Sequence, residues 1–216
     1  LLGHPNSGKT ALFNLLTGSR QKVANYAGVT VERKEGQLTT PSGHQVRVLD
    51  LPGAYSLNAL SADEAVTRDV ITGQRAGESA PDLLVCVVNA ANLQLGLRMV
   101  LESRAMGLPM VMALNMSDAA RRAGIAIDRE LLSAELGVPV VETVGIQQGG
   151  AQELLQWLDG WRPEGPAQAL IAAGGHVVVD RRGPAVGAHR ARERPVLRRT
   201  TRDPRRTGHM QALMHS

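Results

Sequence analysis

Apolar residues in this chain alternate between short solid runs and one-sided helical stripes. Leu83-Leu84-Val85-Cys86-Val87-Val88 and Met110-Val111-Met112-Ala113-Leu114 are unbroken runs, short for helices, and they read as strands buried on both faces. In Ala11-Leu12-Phe13-Asn14-Leu15-Leu16 the apolar spacing instead suits a helix ending near Thr17-Gly18. Two strands follow at about 34–40 and 45–50, joined by the turn Pro41-Ser42-Gly43, and then a helix over 62–74 that Ser61 and Glu64 open as a capping box. Beyond it the pattern predicts strand 82–88, helix 93–106, strand 109–114, helix 117–123, helix 129–136 capped by Asp128, strand 138–142 and helix 149–159. Residues 19–33 have no sustained period and read as a loop, long enough to suggest a functional one.

Alternating strands and helices predict an α/β domain: a mostly parallel, six-stranded sheet with helices on both faces, binding its ligand beyond the carboxyl ends of the strands. Only Leu1 and Leu2 precede the first loop, so the first strand is expected to be truncated. Composition narrows the class further. The single cysteine, Cys86, sits in an apolar run, which excludes a disulfide framework and points to a reducing compartment. No apolar run approaches the roughly 20 residues of a membrane span, so the chain is expected to be soluble. The net charge of +4 divides unevenly: residues 167–216 hold ten Arg against three Asp/Glu, whereas residues 1–166 carry a net −3. The high isoelectric point belongs to the tail, and no nucleic-acid partner is expected for the core.

The candidate chemistry begins at residue 3. Gly3-His4-Pro5-Asn6-Ser7-Gly8-Lys9-Thr10 fits the Gly-x4-Gly-Lys-Ser/Thr phosphate loop, whose backbone N–H groups cradle phosphate while Lys9 reaches the β- and γ-phosphates and the Thr10 hydroxyl holds Mg²⁺. Ser7 and Ala11 belong to the same set of nucleotide contacts. Asp50-Leu51-Pro52-Gly53 ends a strand about forty residues later; there Asp50 can hold Mg²⁺ through a water and the Gly53 N–H can meet a γ-phosphate. Asn115-Met116-Ser117-Asp118 follows another strand. Its Asp118 carboxylate can accept from both guanine N–H groups, a donor pair adenine lacks, and Asn115 can tie the segment to the phosphate loop. Thr30, in the long loop, can complete Mg²⁺ coordination when GTP is bound. In this order and spacing the four motifs make the set a switch GTPase needs, on a P-loop GTPase fold.

Three of these motifs, together with Asn25-Tyr26-Ala27-Gly28-Val29-Thr30-Val31-Glu32-Arg33-Lys34-Glu35-Gly36, closely resemble the cytosolic G domain of the bacterial ferrous iron transport protein B (FeoB) family over about residues 1–160. The resemblance implies a Mg²⁺-dependent, slow GTPase with GTP and GDP as substrate and product, coupled to the membrane permease portion of a longer protein and facing the cytoplasm at the bacterial inner membrane. It implies that Asn6 ligates K⁺ and that Thr143-Val144-Gly145 closes over the base. Ala54 follows Gly53, so no Gln side chain orients the attacking water, and no residue stands out as a catalytic side chain. Met116 replaces the Lys common in other GTPases and is expected to give up both an aliphatic stem and a charge. The alternatives are a soluble GTPase of ribosome assembly or tRNA modification, and an inactive truncated fragment. No direct iron site is expected, because the six His lack metal-ligand spacing. Residues 1–162 are expected to be the G domain and 163–216 a basic Arg/Pro/Gly-rich tail, disordered or outside the family's reading frame.

Overall fold

A computed structural model of the chain describes residues 1–18 and 21–162. The expectations for the tail lie outside the described residues. In chain order the elements are β1 (Leu2–Gly3), α1 (Lys9–Thr17), β2 (Gln21–Asn25), β3 (Glu32–Thr39), β4 (Gln45–Asp50), α2 (Ala62–Ile71), β5 (Leu84–Asn89), a single 3₁₀ turn (Ala90–Asn92), α3 (Leu93–Ala105), β6 (Met110–Asn115), α4 (Ser117–Arg122), α5 (Arg129–Leu136), β7 (Val140–Glu142) and α6 (Gln152–Gly160). The caps predicted from sequence are formed: the Ser61 side chain accepts from the Glu64 N–H, and that of Asp128 from the Leu131 N–H.

Four strands pair in parallel in the order β1-β5-β6-β7, and β2, β3 and β4 form an antiparallel sheet. The two are stitched together at β1. The Leu1 amino group donates to the Leu49 carbonyl, and the Leu51 N–H donates to the Leu1 carbonyl at 3.1 Å, the bonding pattern of a parallel pair. Six strands, β3-β4-β1-β5-β6-β7, thereby make one mostly parallel layer, as the alternation predicts. The seventh, β2, corrects the reading of 19–33 as loop. Its residues are nearly all exposed, so it carries no apolar alternation to betray it, and its pairing with β3, from Gln21 opposite Gly36 to Asn25 opposite Glu32, defines it. What remains of the loop is the hairpin tip 26–31.

Alternation along β5 and β6 sends side chains to two cores. Cys86, Val88, Met112 and Leu114 pack with Val66, Val70, Met99, Val100, Leu132 and Leu136 on one face. Val85, Val87, Val111 and Ala113 meet Leu12, Phe13, Leu154 and Leu158 on the other. Both faces are thus closed by helices, and the strand ends are left to form the site. At the opposite end a cavity of about 530 Å³, lined by Leu1, Val46, Val48, Leu83 and Val85 among others, lies between β4 and β5. Among the described residues no helix is long and apolar enough to cross a membrane.

Candidate nucleotide-binding site

The turn from β1 into α1 gathers the phosphate-loop residues at the carboxyl end of the sheet. Gly8 has φ +78°, a left-handed conformation, and a Cβ there would sit 2.3 Å from Asn115 Nδ2. Any side chain at residue 8 therefore meets both strain and collision. Asn6 is exposed with φ 65°, Thr10 is exposed at the head of α1, and Ser7 is buried. The buried Lys9 ammonium pairs with Asp50 Oδ1, while the Thr10 hydroxyl donates to Asp50 Oδ2 at 3.3 Å. A hydroxyl and a carboxylate converging in this way are the hard oxygen donors that Mg²⁺ takes, so these residues fit that ion. Thr30 stands apart: it is exposed on the hairpin tip, and among the described residues no hydrogen bond joins it to Thr10 or Asp50. Met116 departs from expectation in another way. Its Cε lies 3.0 Å from where a Gly8 Cβ would be, so the side chain still packs on the loop and only the charge is given up.

Asn115 holds three segments together. Its Nδ2 donates to the Ser7 carbonyl at 3.0 Å, and its Oδ1 accepts from Thr143 Oγ1 at 3.1 Å and from the Gly145 N–H at 2.9 Å. All of these groups are buried, so each bond replaces one that water cannot supply. Gly145 lies so close to α1 that a Cβ would come within 2.9 Å of the Leu12 nitrogen. Val144 is also buried, its N–H donating to the Gly150 carbonyl at 2.7 Å. Met116, with φ 59°, turns the chain so that Asp118 enters the first turn of α4, where Arg122 meets its carboxylate at 2.7 Å. The Arg122 guanidinium holds the Asp118 carboxyl below its ordinary range.

The segment after Asp50 is fixed by two carboxylates that the sequence did not single out for this role. Ala54 N–H donates to the Gly3 carbonyl at 3.2 Å, and a Gly53 Cβ would approach the Pro5 ring to 3.1 Å, so this backbone lies directly against the phosphate loop. From α2, Glu64 accepts from the N–H groups of Tyr55 at 3.1 Å, Ser56 at 3.2 Å and Leu60 at 2.9 Å. From α3, Glu102 accepts from the Leu57 N–H at 2.7 Å and from the Ser56 hydroxyl. The capping box could have hinted at Glu64, because a carboxylate at that position reaches back past the helix start. Glu102 had only an i,i+4 pairing with Arg98 to mark it.

Burial by itself would raise the Glu64 carboxyl, but the N–H donors of Leu60, Tyr55 and Ser56 together outweigh it and lower its pKa below 4.5. A depressed folded-state value means that the stabilisation is complete above the unfolded value and is lost as pH falls through the folded one. Glu64→Ala should speed hydrogen exchange at Tyr55, Ser56 and Leu60 by roughly 30-fold, corresponding to about 2 kcal/mol of local stability. The same amides in the unmutated chain should lose protection only as pH falls through that depressed value, below the ordinary glutamate range. Unchanged exchange in the variant would deny Glu64 this anchoring role.

Phosphate loop, strand-ending Asp-x-x-Gly and Asn-x-x-Asp, gathered at one end of a mostly parallel sheet, define a P-loop GTPase fold. The chain belongs to the ferrous iron transport protein B family, whose sequence model matches residues 1–158. It is 46% identical over 162 residues to the Fe(2+) transporter FeoB of Escherichia coli, covering 75% of this chain and 21% of that protein. The Salmonella typhimurium transporter is 46% identical over 159 residues, 74% of this chain and 20% of that protein. The chain thus spans about a fifth of the length of these relatives. Among solved structures, the cytosolic domain of T. maritima FeoB in its GMPPNP form is similar at 40% identity with a TM-score of 0.65, over 73% of this chain and 59% of that one. The isolated G domain of T. maritima FeoB matches at 37% identity and a TM-score of 0.63, over 80% of this chain and 95% of that one.

Proposed function

We propose that residues 1–162 are the GTP-binding and slowly GTP-hydrolysing switch domain of a bacterial Fe²⁺ transporter, coupling nucleotide state to iron uptake through the membrane permease portion of the same protein. The observation that carries this reading is the Asn115 junction, which brings the phosphate loop, the Asn-x-x-Asp segment and the Thr143-Val144-Gly145 segment to one place. In this reading Lys9 and the N–H groups from Gly3 to Ala11 hold the phosphates, Asp118 reads guanine, and Thr143, Val144 and Gly145 close over the base. Thr10, Thr30 and Asp50 hold Mg²⁺, which supplies neutralisation of the phosphate charge. Asn6, exposed in the loop, is assigned to K⁺. With Ala54 after Gly53, water positioning falls to backbone groups such as the Gly53 N–H, and hydrolysis is slow. The domain works on the cytoplasmic face of the inner membrane, and the basic stretch 163–216 is a separate tail.

The test is fluorescent GDP and GTP-analogue binding with Mg²⁺, followed by phosphate release in K⁺ against Na⁺ buffer. Guanine-selective binding with release faster in K⁺ supports the reading and the Asn6 assignment. Binding with equal release in both salts removes K⁺ alone. A folded chain that binds no guanine nucleotide removes the GTPase reading.

A further inference from the structure

The hairpin that carries Thr30 is fastened at its side by a loop that none of the nucleotide motifs includes. Tyr26 at the hairpin tip is buried in the core, and the Arg75 guanidinium lies 5.8 Å from its ring centre. Arg75 Nη2 also donates to the Ala27 carbonyl. Three residues on, the Glu78 side chain is only 5% exposed; it takes the Arg33 Nε of β3 on one oxygen and Arg47 Nη2 of β4, at 2.8 Å, on the other. This loop is an extension of α2, because the N–H groups of Gln74 and Arg75 donate to the Asp69 carbonyl at 2.8 and 3.0 Å. The same helix holds the segment after Gly53 through Glu64. The hairpin and that segment are therefore fastened to one helix.

In this docked arrangement Thr30 is away from the metal corner. Lys34 stands opposite Asp50 in the strand register, whereas Thr30 lies four residues before Lys34, beyond the start of β3 at Glu32, exposed and with no hydrogen bond to Thr10 or Asp50 among the described residues. Bringing the Thr30 hydroxyl to Thr10 and Asp50 requires the tip to leave its seat on Arg75, whose loop Glu78 clamps to Arg33 and Arg47.

We propose that Glu78, with Arg75, is a positioning residue for Thr30: it holds the hairpin docked with Thr30 outside the metal corner, and so limits how strongly the domain prefers GTP over GDP. The proposal rests on the GTPase reading above. GDP binding needs no Thr30, so only the triphosphate state works against the latch. A ligand shifts the equilibrium between docked and released hairpin only by its differential affinity for the two. Weakening the latch therefore raises GTP affinity and leaves GDP affinity unchanged.

The experiment measures the affinities of mant-GDP and of a non-hydrolysable mant-GTP analogue, with Mg²⁺, in the unmutated protein, Glu78→Gln, Thr30→Ala and the double variant. Glu78→Gln is expected to raise the ratio of triphosphate to diphosphate affinity roughly three- to tenfold, and the gain is expected to vanish when Thr30 is Ala. Arg75→Gln, which cuts the Ala27 and Tyr26 contacts instead, should give the same Thr30-dependent gain and serves if Glu78→Gln does not fold. An unchanged or lower ratio in these variants, or a gain that survives Thr30→Ala, overturns the proposal. Absence of guanine nucleotide binding in the unmutated protein instead counts against the GTPase reading, and is seen before any variant is made.

Discussion

Asn115→Ala is expected to lower the stability of the domain by about 3 kcal/mol and to abolish guanine nucleotide binding at micromolar concentration. The substitution leaves the Ser7 carbonyl without its donor, and Thr143 Oγ1 and the Gly145 N–H without their acceptor, all in the interior. Each buried group left unpaired costs about 1–3 kcal/mol, and partial relaxation keeps the sum near the lower end. For a domain of this size that corresponds to a fall of roughly 6–12 °C in melting temperature. Binding is lost for a separate reason: the phosphate loop, α4 and the turn at Thr143 are no longer held in one arrangement. Thermal unfolding with and without GDP separates the two effects. A variant that melts lower yet still gains stability from GDP would mean that the junction serves the fold and not the site.

Lys9→Ala should weaken nucleotide affinity roughly a thousandfold, as expected for loss of one ammonium-phosphate contact worth about 4 kcal/mol at a partly screened site. Its effect on the nucleotide-free protein is less obvious and more diagnostic. Asp50 is buried and its carboxylate pairs with Lys9, so removing the ammonium strands a charge whose uncompensated burial costs about 3–5 kcal/mol. Asp50→Asn in the Lys9→Ala background should restore most of that stability, because the stranded charge is gone, while nucleotide binding recovers none of its strength, the proposed Mg²⁺ carboxylate being lost as well. Isothermal titration and thermal melts on both variants make the comparison. If the double variant melts no higher than the single one, the buried pair is not what Lys9 contributes to the free domain. In the proposed nucleotide-bound state Lys9 would serve phosphate as well, so nucleotide binding would cost partial disruption of its direct pair with Asp50.

Much of the architecture was legible because it is written locally. Solid apolar runs at 83–88 and 110–114 became the central parallel strands, and the helices that follow them start within a few residues of their expected positions. The helix boundaries that differ most do so at glycines: α2 ends at Ile71 ahead of Gly73, with φ 70°, and α6 starts after Gly149, with φ 77°. A left-handed residue closes or delays a helix more sharply than apolar spacing can indicate. The phosphate loop was legible for a related reason. Its chemistry is backbone chemistry, and Gly8 can be read from sequence because no other residue tolerates both its conformation and the closeness of Asn115.

What the sequence alone determined, then, is the order of elements, the burial of the sheet on both faces, and the residue types that fit a guanine nucleotide and Mg²⁺. Tertiary structure decided what holds those residues in place. Asn115 reaches Ser7 across 108 residues of chain, Glu102 reaches Leu57 across 45, and Glu78 reaches Arg33 across 45. No periodicity links such positions, so nothing local distinguishes Glu78 or Glu102 from any other acidic residue on a helix or loop, and only the capping box marks Glu64. The edge strand β2 was hidden for the complementary reason: exposed strands need no apolar alternation, and pairing with β3 gives it form. Period and spacing reveal burial and motif, because both act on neighbours along the chain; the carboxylates that fasten the hairpin and the segment after Gly53 act through space, and only folding brings them to their partners.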